Sequence, residues 1–282
     1  MLRNLNCLLL VAVVAIASAA PAQASYVSAV LADNPLAYYR MQETSVVTTD
    51  PAADSSGNGN TGAYIFPTPG SITDSAGITT ELNPGKQFTP GDGYVDVPAA
   101  IGGSASAFSI EFLLKPDSNT FNPGLRAIFA SDDFNGGAVH LNLVGTKIEL
   151  AVSGNFYGPV SYPSTELAAS APVDEWTHVV ATFAISGADH TIKFYANGVL
   201  LNGPSGVTGT GSTLADLSLA ASIGQWSGDR FLSGALDEFA IYDFALSDAQ
   251  VAAHFAAIPE PSSLALLAFG MISMFLFRRN KK

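Results

Sequence analysis

Two apolar runs sit at the ends of this chain, and they decide what the middle must be. The first covers residues 8–17 without a polar side chain, behind Arg3 and ahead of Ala22-Gln23-Ala24. A positive start, a short apolar run and a small-x-small tripeptide make a secretory leader of residues 1–24, with the mature chain starting at Ser25. Ten residues are too few to span a bilayer core of about 30 Å. The second run opens on Leu264 and closes on Phe277, ahead of Arg278-Arg279-Asn280-Lys281-Lys282. As a helix it would reach about 21 Å, short for a permanent anchor unless the flanking arginines snorkel and the bilayer thins. The basic cluster belongs on the cytoplasmic side, which places residues 25–258 across the membrane. The leader predicts the same topology independently.

Everything between these ends must therefore fold outside the cytoplasm, and it must do so without disulfides. The one cysteine, Cys7, lies in the leader. Residues 25–258 can have no Cys-ligated zinc and no cysteine nucleophile. They carry 23 acidic and 7 basic residues, a net charge of −16. Such a body repels phosphate backbones, so nucleic acid is excluded as a partner, and it has carboxylates to spare for a hard cation.

The C-terminal segment, residues 259–282, has an internal order. Pro259-Glu260-Pro261 precedes Ser262-Ser263, the apolar run and the basic tail. Two prolines fix an extended backbone that a protease can read, and they keep a preceding helix from merging with the apolar run. This arrangement resembles the PEP-CTERM sorting signal of Gram-negative and related bacteria. The resemblance implies recognition by an exosortase, a membrane-embedded cysteine-dependent enzyme, with cleavage near Pro259, Glu260 and Pro261. Release to the surface or matrix would follow. A plain membrane anchor is the alternative, but it has no use for the Pro-Glu-Pro.

The body alternates as strands do. Phe108, Ile110, Phe112 and Leu114 are interleaved with Ser109 and Glu111, the period of a half-buried strand. Ile148, Leu150 and Val152 repeat the pattern, residues 176–185 form a long β-branched and aromatic run, and residues 236–242 a late one. Asn197-Gly198 between apolar runs marks a hairpin. Ser247 with Gln250 forms a capping box for one C-terminal helix, flanked by Leu246 and Val251, and a short N-terminal helix fits residues 27–32, closed by Asn34-Pro35. Many strands without βαβ alternation predict an all-β fold, a two-sheet antiparallel jelly-roll sandwich with a short C-terminal helix.

Several stretches then fall in a familiar order: residues 34–41 (NPLAYYRM), 54–62 (DSSGNGNTG), 93–98 (GYVDVP), 108–112 (FSIEF), 176–179 (WTHV), 195–198 (YANG), 236–242 (LDEFAIY) and 245–247 (ALS). In this order they resemble the laminin-G-like domains of the concanavalin A-like lectin/glucanase fold, across residues 26–257. One departure is Leu113-Leu114, where members often carry a tryptophan. The resemblance implies a module that binds carbohydrate or protein. Some relatives are glycosidases.

Hydrolysis would need two carboxylates about 5–5.5 Å apart. The sequence has no Glu-x-Asp-x-x-Glu run. Asp237-Glu238 are adjacent and so expected on opposite faces, Asp92 and Asp96 flank a strand entrance, and Asp132-Asp133 and Asp174-Glu175 read as turns. No histidine has triad or zinc spacing, and His178 reads as a packed, hydrogen-bonded residue. The chain is therefore expected to be non-enzymatic, with a divergent glycosidase as the alternative. Asp54, Ser56 and Asn58 place oxygens at i, i+2 and i+4 before Gly59, the opening of a calcium loop, but Ile65 replaces the closing Glu. A structural calcium held by Asp54 and Asn58 is expected, with Asp237 as the partner the resemblance implies; an Asx-rich turn is the other reading. Trp226, Tyr157 and Tyr162 are the aromatic candidates for a sugar, whose apolar faces stack on rings. The whole is expected to be an exported cell-surface or matrix protein binding glycan or another surface component, or a matrix protein without a specific ligand.

Overall fold

The structure, a computed structural model of the chain, describes residues 25–78, 82, 84–89, 91–131, 136–152, 164–203 and 206–259. The leader, the apolar C-terminal run, Tyr157, Tyr162, Glu260 and Pro261 lie outside the described residues. Among the described residues no helix is long and apolar enough to cross a membrane.

In chain order come α1 (Tyr26–Ala32), β1 (Ala37–Tyr39), β2 (Pro51–Ala52), β3 (Gly62–Ile65), β4 (Ile72–Ser75), β5 (Gly85–Phe88), β6 (Tyr94–Val97), β7 (Ser104–Ala105) and β8 (Ala107–Lys115). Then follow β9 (Leu125–Ser131), β10 (Val139–Val144), β11 (Lys147–Val152), β12 (Ser164–Glu166), β13 (Thr177–Ser186), β14 (Asp189–Ala196) and β15 (Val199–Leu200). The chain finishes with β16 (Val207–Thr210), β17 (Ala215–Asp216), β18 (Ala221–Ile223), β19 (Gly234–Tyr242) and α2 (Asp248–Ala257).

These form an antiparallel jelly-roll sandwich. The first sheet runs β15-β14-β13-β8-β19-β5-β4, with β1 beside β19 and β16 beside β14; the second runs β12-β11-β10-β9-β18-β6-β3-β2. The expected hairpin is present: Tyr195 pairs Leu200 and Ala196 pairs Val199 around Asn197 (φ 49°) and Gly198 (φ 75°). Two positive φ values in a two-residue loop match the right-handed strand twist. The capping box is also present, with Ser247 accepting from Gln250 N and Gln250 accepting from Ser247 N.

Between the sheets the alternating apolar residues meet. Phe239 of β19 stacks on Phe112 of β8 (5.5 Å between centroids) and on Phe129 of β9 (6.2 Å), tying the two layers together. A second apolar layer lies behind the first sheet, where Tyr26, Val30, Val251 and Ala257 of the two helices pack on Tyr38, Leu113, Val180, Ala240 and Tyr242. This layer changes the reading of β8. Its alternation predicts one wet face, yet Ser109, Glu111 and Leu113 are fully buried, because α1 and α2 cover that face.

Candidate functional site

Among the described residues no helix packs behind the second sheet, and its outer face carries an aromatic side chain, Trp226. The registers place Ala151, His140, Ala130, Ser222, Asp96 and Ala63 side by side across β11, β10, β9, β18, β6 and β3. Their chain neighbours Leu150, Leu141, Phe129, Ile223, Val95 and Tyr64 enter the core, so this row lies on the outer face, where Asp96 is exposed but Ala151, His140, Ala130 and Ser222 are buried. At the usual spacing between strands it is about 24 Å long.

A hairpin arm after β18 folds onto this row. Trp226 and Asp229 exchange both backbone hydrogen bonds, at 3.1 Å each, around Ser227 (φ 57°) and Gly228 (φ 72°). Gln225 braces the turn: its Nε2 donates to Ser222 Oγ at 2.9 Å and its Oε1 accepts from Gly228 N at 2.7 Å. Trp226, half-buried, meets His140 edge-on at 4.8 Å. The Arg230 guanidinium lies 4.2 Å from the indole centroid and also pairs with Asp229 at 2.9 Å. Beside this arm Asn142 donates to Glu149 at 3.3 Å, while its buried Oδ1 has no hydrogen-bond partner among the described residues. Burial raises the carboxyls of Asp96 and Glu149 above their ordinary range, the latter partly offset by Asn142.

Glu149 on β11 and Asp96 on β6 are four strand spacings apart, about 19 Å, against about 5–9.5 Å for glycosidase carboxylates. The sequence singled out Trp226, and the structure seats it here. It missed His140 and Ser222, which cross-strand register brings in, and Gln225 and Arg230, which the arm itself carries; the readable clue was the Ser-Gly turn between Trp226 and Arg230.

The expected calcium ligands do not converge. Asp54 accepts from Tyr38 N, Ser56 N, Ser56 Oγ and Asn60 N, which occupies both of its oxygens. Burial opposes its ionisation, but these donors outweigh it and hold the carboxyl below its usual range. Asn58 turns its amide nitrogen to the carbonyls of Pro35 and Leu36, 3.0 Å from each. The loop is thus a self-satisfied Asx-turn, a poor fit to a cation that needs free oxygens. Among the described residues no group of three or more His, Cys, Asp or Glu is placed to hold a metal.

Asp237 sits elsewhere, in a buried pair with Glu238. The two were expected on opposite faces. Instead a bulge between Asp237 and Ala240, with Glu238 at φ 52°, sets them together, both fully buried. Asp237 Oδ1 accepts from Glu238 N at 2.9 Å and its Oδ2 has no hydrogen-bond partner among the described residues. Burial, then the charge of Glu238, pushes its carboxyl far up. Glu238 receives Tyr38 Oη, Arg40 Nε (3.2 Å) and Gln42 Nε2 (3.2 Å). Both are closed off from any polysaccharide.

A family model described as the concanavalin A-like lectin/glucanases superfamily matches residues 89–252, and one described as the PEP-CTERM protein-sorting motif matches residues 257–281. No curated protein matches the chain. Among solved structures, domain 4 of AbnA, an extracellular arabinanase from Geobacillus stearothermophilus in complex with arabinotriose, is 19% identical, with TM-score 0.56 over 78% of this chain and 98% of that one. The botulinum neurotoxin serotype D ligand-binding domain in complex with N-acetylneuraminic acid is 15% identical, with TM-score 0.57 over 82% of this chain and 52% of that one. The binding domain of botulinum neurotoxin DC in complex with SialylT is 14% identical, with TM-score 0.59 over 81% of this chain and 52% of that one. This chain thus spans about half of each toxin domain, and at these identities the likeness is one of fold.

Proposed function

Because this chain belongs to the concanavalin A-like lectin/glucanases superfamily and ends in a match to a protein-sorting motif, we propose that it is an exported surface or matrix protein that binds carbohydrate without cleaving it. The single observation that carries the reading is the half-buried indole of Trp226, held by Arg230 and His140 over the outer face of the second sheet. An indole face with hydrogen-bonding groups beside it suits a sugar, which has apolar C–H faces and hydroxyl edges. Asp96 and Glu149 stand about 19 Å apart, too far to act together as one hydrolytic pair. Two of the similar folds were captured with sugars, which supports the class of ligand.

Both helices that flank the body pack behind the first sheet. The expected leader junction at Ser25 and the expected exosortase site at Pro259 therefore emerge on the side away from Trp226. While the apolar run still holds the protein at the membrane, the binding face looks outward.

The test is retention on insoluble and soluble polysaccharides and on a glycan array, for the wild type and Trp226→Ala. Loss of a stacking ring should weaken binding at least tenfold while melting stays within about 3 °C. Failure of the wild type to bind any glycan would leave a matrix protein without a specific ligand. Mass spectrometry of the mature form checks the sorting reading separately, through ends at Ser25 and near Pro259.

A further inference from the structure

Behind the first sheet a buried polar cluster joins the two ends of the body. Glu111, in the middle of β8, is fully buried and faces the helices. Its Oε1 accepts from Tyr26 Oη of α1 at 3.0 Å and meets His178 Nε2 of β13 at 2.7 Å. Its Oε2 accepts from Tyr242 Oη of β19 at 2.8 Å. His254 of α2 approaches both oxygens through Nδ1, at 3.1 and 3.0 Å. The other ring nitrogen, Nε2, stands 3.1 Å from Asp33 Oδ2 at the C-terminal cap of α1.

A neutral imidazole has one N–H, so it can donate to one of these carboxylates while its lone pair faces the other. Both contacts are attractive only for the imidazolium. The groups around it are Glu111 from β8, Tyr26 and Asp33 from α1, His178 from β13 and Tyr242 from β19, with Tyr38 and Glu238 further along the same layer. Burial and the neighbouring carboxylates keep the phenols of Tyr26, Tyr38 and Tyr242 neutral well above their usual range.

We propose that His254 is a proton-operated latch between the two ends of the body: as an imidazolium it fastens α2 to both β8 and α1, and on losing its proton it loosens the helix that leads into Pro259. The electrostatics agree with the geometry. Burial alone would lower the affinity of His254 for its proton, but the bond and charge of Glu111, and then Asp33, outweigh it and raise it. A raised histidine contributes its full stabilisation below the ordinary value of about 6.5, and that contribution is lost as pH rises through the folded value. Over that interval docking of α2 weakens by up to about tenfold per pH unit. Release of the 10-residue helix would lengthen the tether from about 15 Å to about 33 Å. That last consequence rests on the sorting reading; the latch does not.

The test is hydrogen exchange of the α2 amides in the full chain in detergent, from pH 5.5 to 9, corrected for the intrinsic rate. Protection of residues 251–257 should fall at least tenfold over this range while that of β8 holds. His254→Gln should lower protection at pH 6 and flatten the profile. Asp33→Asn removes the second carboxylate, so a neutral ring suffices; protection should then persist to pH 9. Asp33 is 23% exposed, so this variant should fold even if His254→Gln does not. Wild-type protection that ignores pH, or an Asp33→Asn profile identical to the wild type, overturns the latch. Unaltered C-terminal processing in cells alongside the expected exchange profiles would overturn only its link to sorting.

Discussion

Glu111→Gln is the substitution that asks most of this fold. Glu111 takes hydrogen bonds from four elements at once: Tyr26 of α1, His178 of β13, Tyr242 of β19 and His254 of α2. Glutamine keeps one oxygen, which can still serve Tyr26 and His178. Its NH2 replaces the second oxygen, and it can donate to Tyr242 but not accept from His254. Removing one member of a buried ion pair costs about 3–5 kcal/mol, and the retained bonds put this variant near the lower end. At about 2–4 °C per kcal/mol for a domain of this size, melting should fall by about 6–12 °C.

The pH dependence makes the test sharper. Burial would raise the Glu111 carboxyl, but hydrogen bonds from His178 and His254, and then their charges, outweigh it and hold it far below the ordinary range. A lowered carboxylate contributes stability above the ordinary value of about 4.3, and that contribution is lost as pH falls through the folded value. The gap between wild type and Glu111→Gln should therefore be widest near neutrality and close progressively in acid. Differential scanning calorimetry of the full chain at pH 7, 5 and 3 reads both quantities. A double-mutant cycle with His254→Gln should show coupling of at least 0.5 kcal/mol. A drop under 3 °C, a gap that stays constant with pH, or strict additivity in the cycle would refute an ionised Glu111 at the centre of the helix–sheet contact.

Asp237→Asn should act in the opposite direction. Asp237 is held far above its usual pKa by burial and then by Glu238, so its destabilising contribution grows as pH rises above about 4; the amide should stabilise the fold by at least 1 kcal/mol at pH 7, with the gain vanishing near pH 4 in urea titrations. Gly198→Ala should destabilise by about 1–2 kcal/mol, because φ is +75° and the new Cβ would stand 3.1 Å from the Phe255 ring of α2. Thermal melts check it, and an unchanged midpoint would count against the hairpin packing on that helix.

Much of the sandwich was legible, because its signals are local. The alternation of Phe108, Ile110, Phe112 and Leu114, the Asn197-Gly198 turn and the Ser247–Gln250 capping box each lie within a few residues, and each reappears in the structure. The polar cluster was not legible for the opposite reason. Glu111 is separated from Tyr26, His178, Tyr242 and His254 by 85, 67, 131 and 143 positions. Strand alternation reports only that Ser109, Glu111 and Leu113 share a face. Leu113 on that face was the hint that it is covered. Asp237-Glu238 failed for a different reason: adjacency fixes opposite faces only in a regular strand, and the bulge at Glu238 breaks that rule.

The two faces of the sandwich differ in what covers them. The first sheet needs a cover, since Leu113, Val180, Ala240 and Tyr242 would otherwise expose an apolar patch, and α1 and α2 supply it. Covering that sheet with helices from both ends of the body forces the chain to enter and leave on that side. The second sheet turns Ala63 and Asp96 toward solvent, while His140 and Ser222 on the same face are buried and a hairpin arm with an indole and a guanidinium lies beside them. The same burial of apolar surface that stabilises the domain therefore puts α1 and α2 on one side of the sandwich and the Trp226 arm on the other. Moving that arm to the first sheet would require stripping the helices from it, and with them the buried Glu111 that holds both ends.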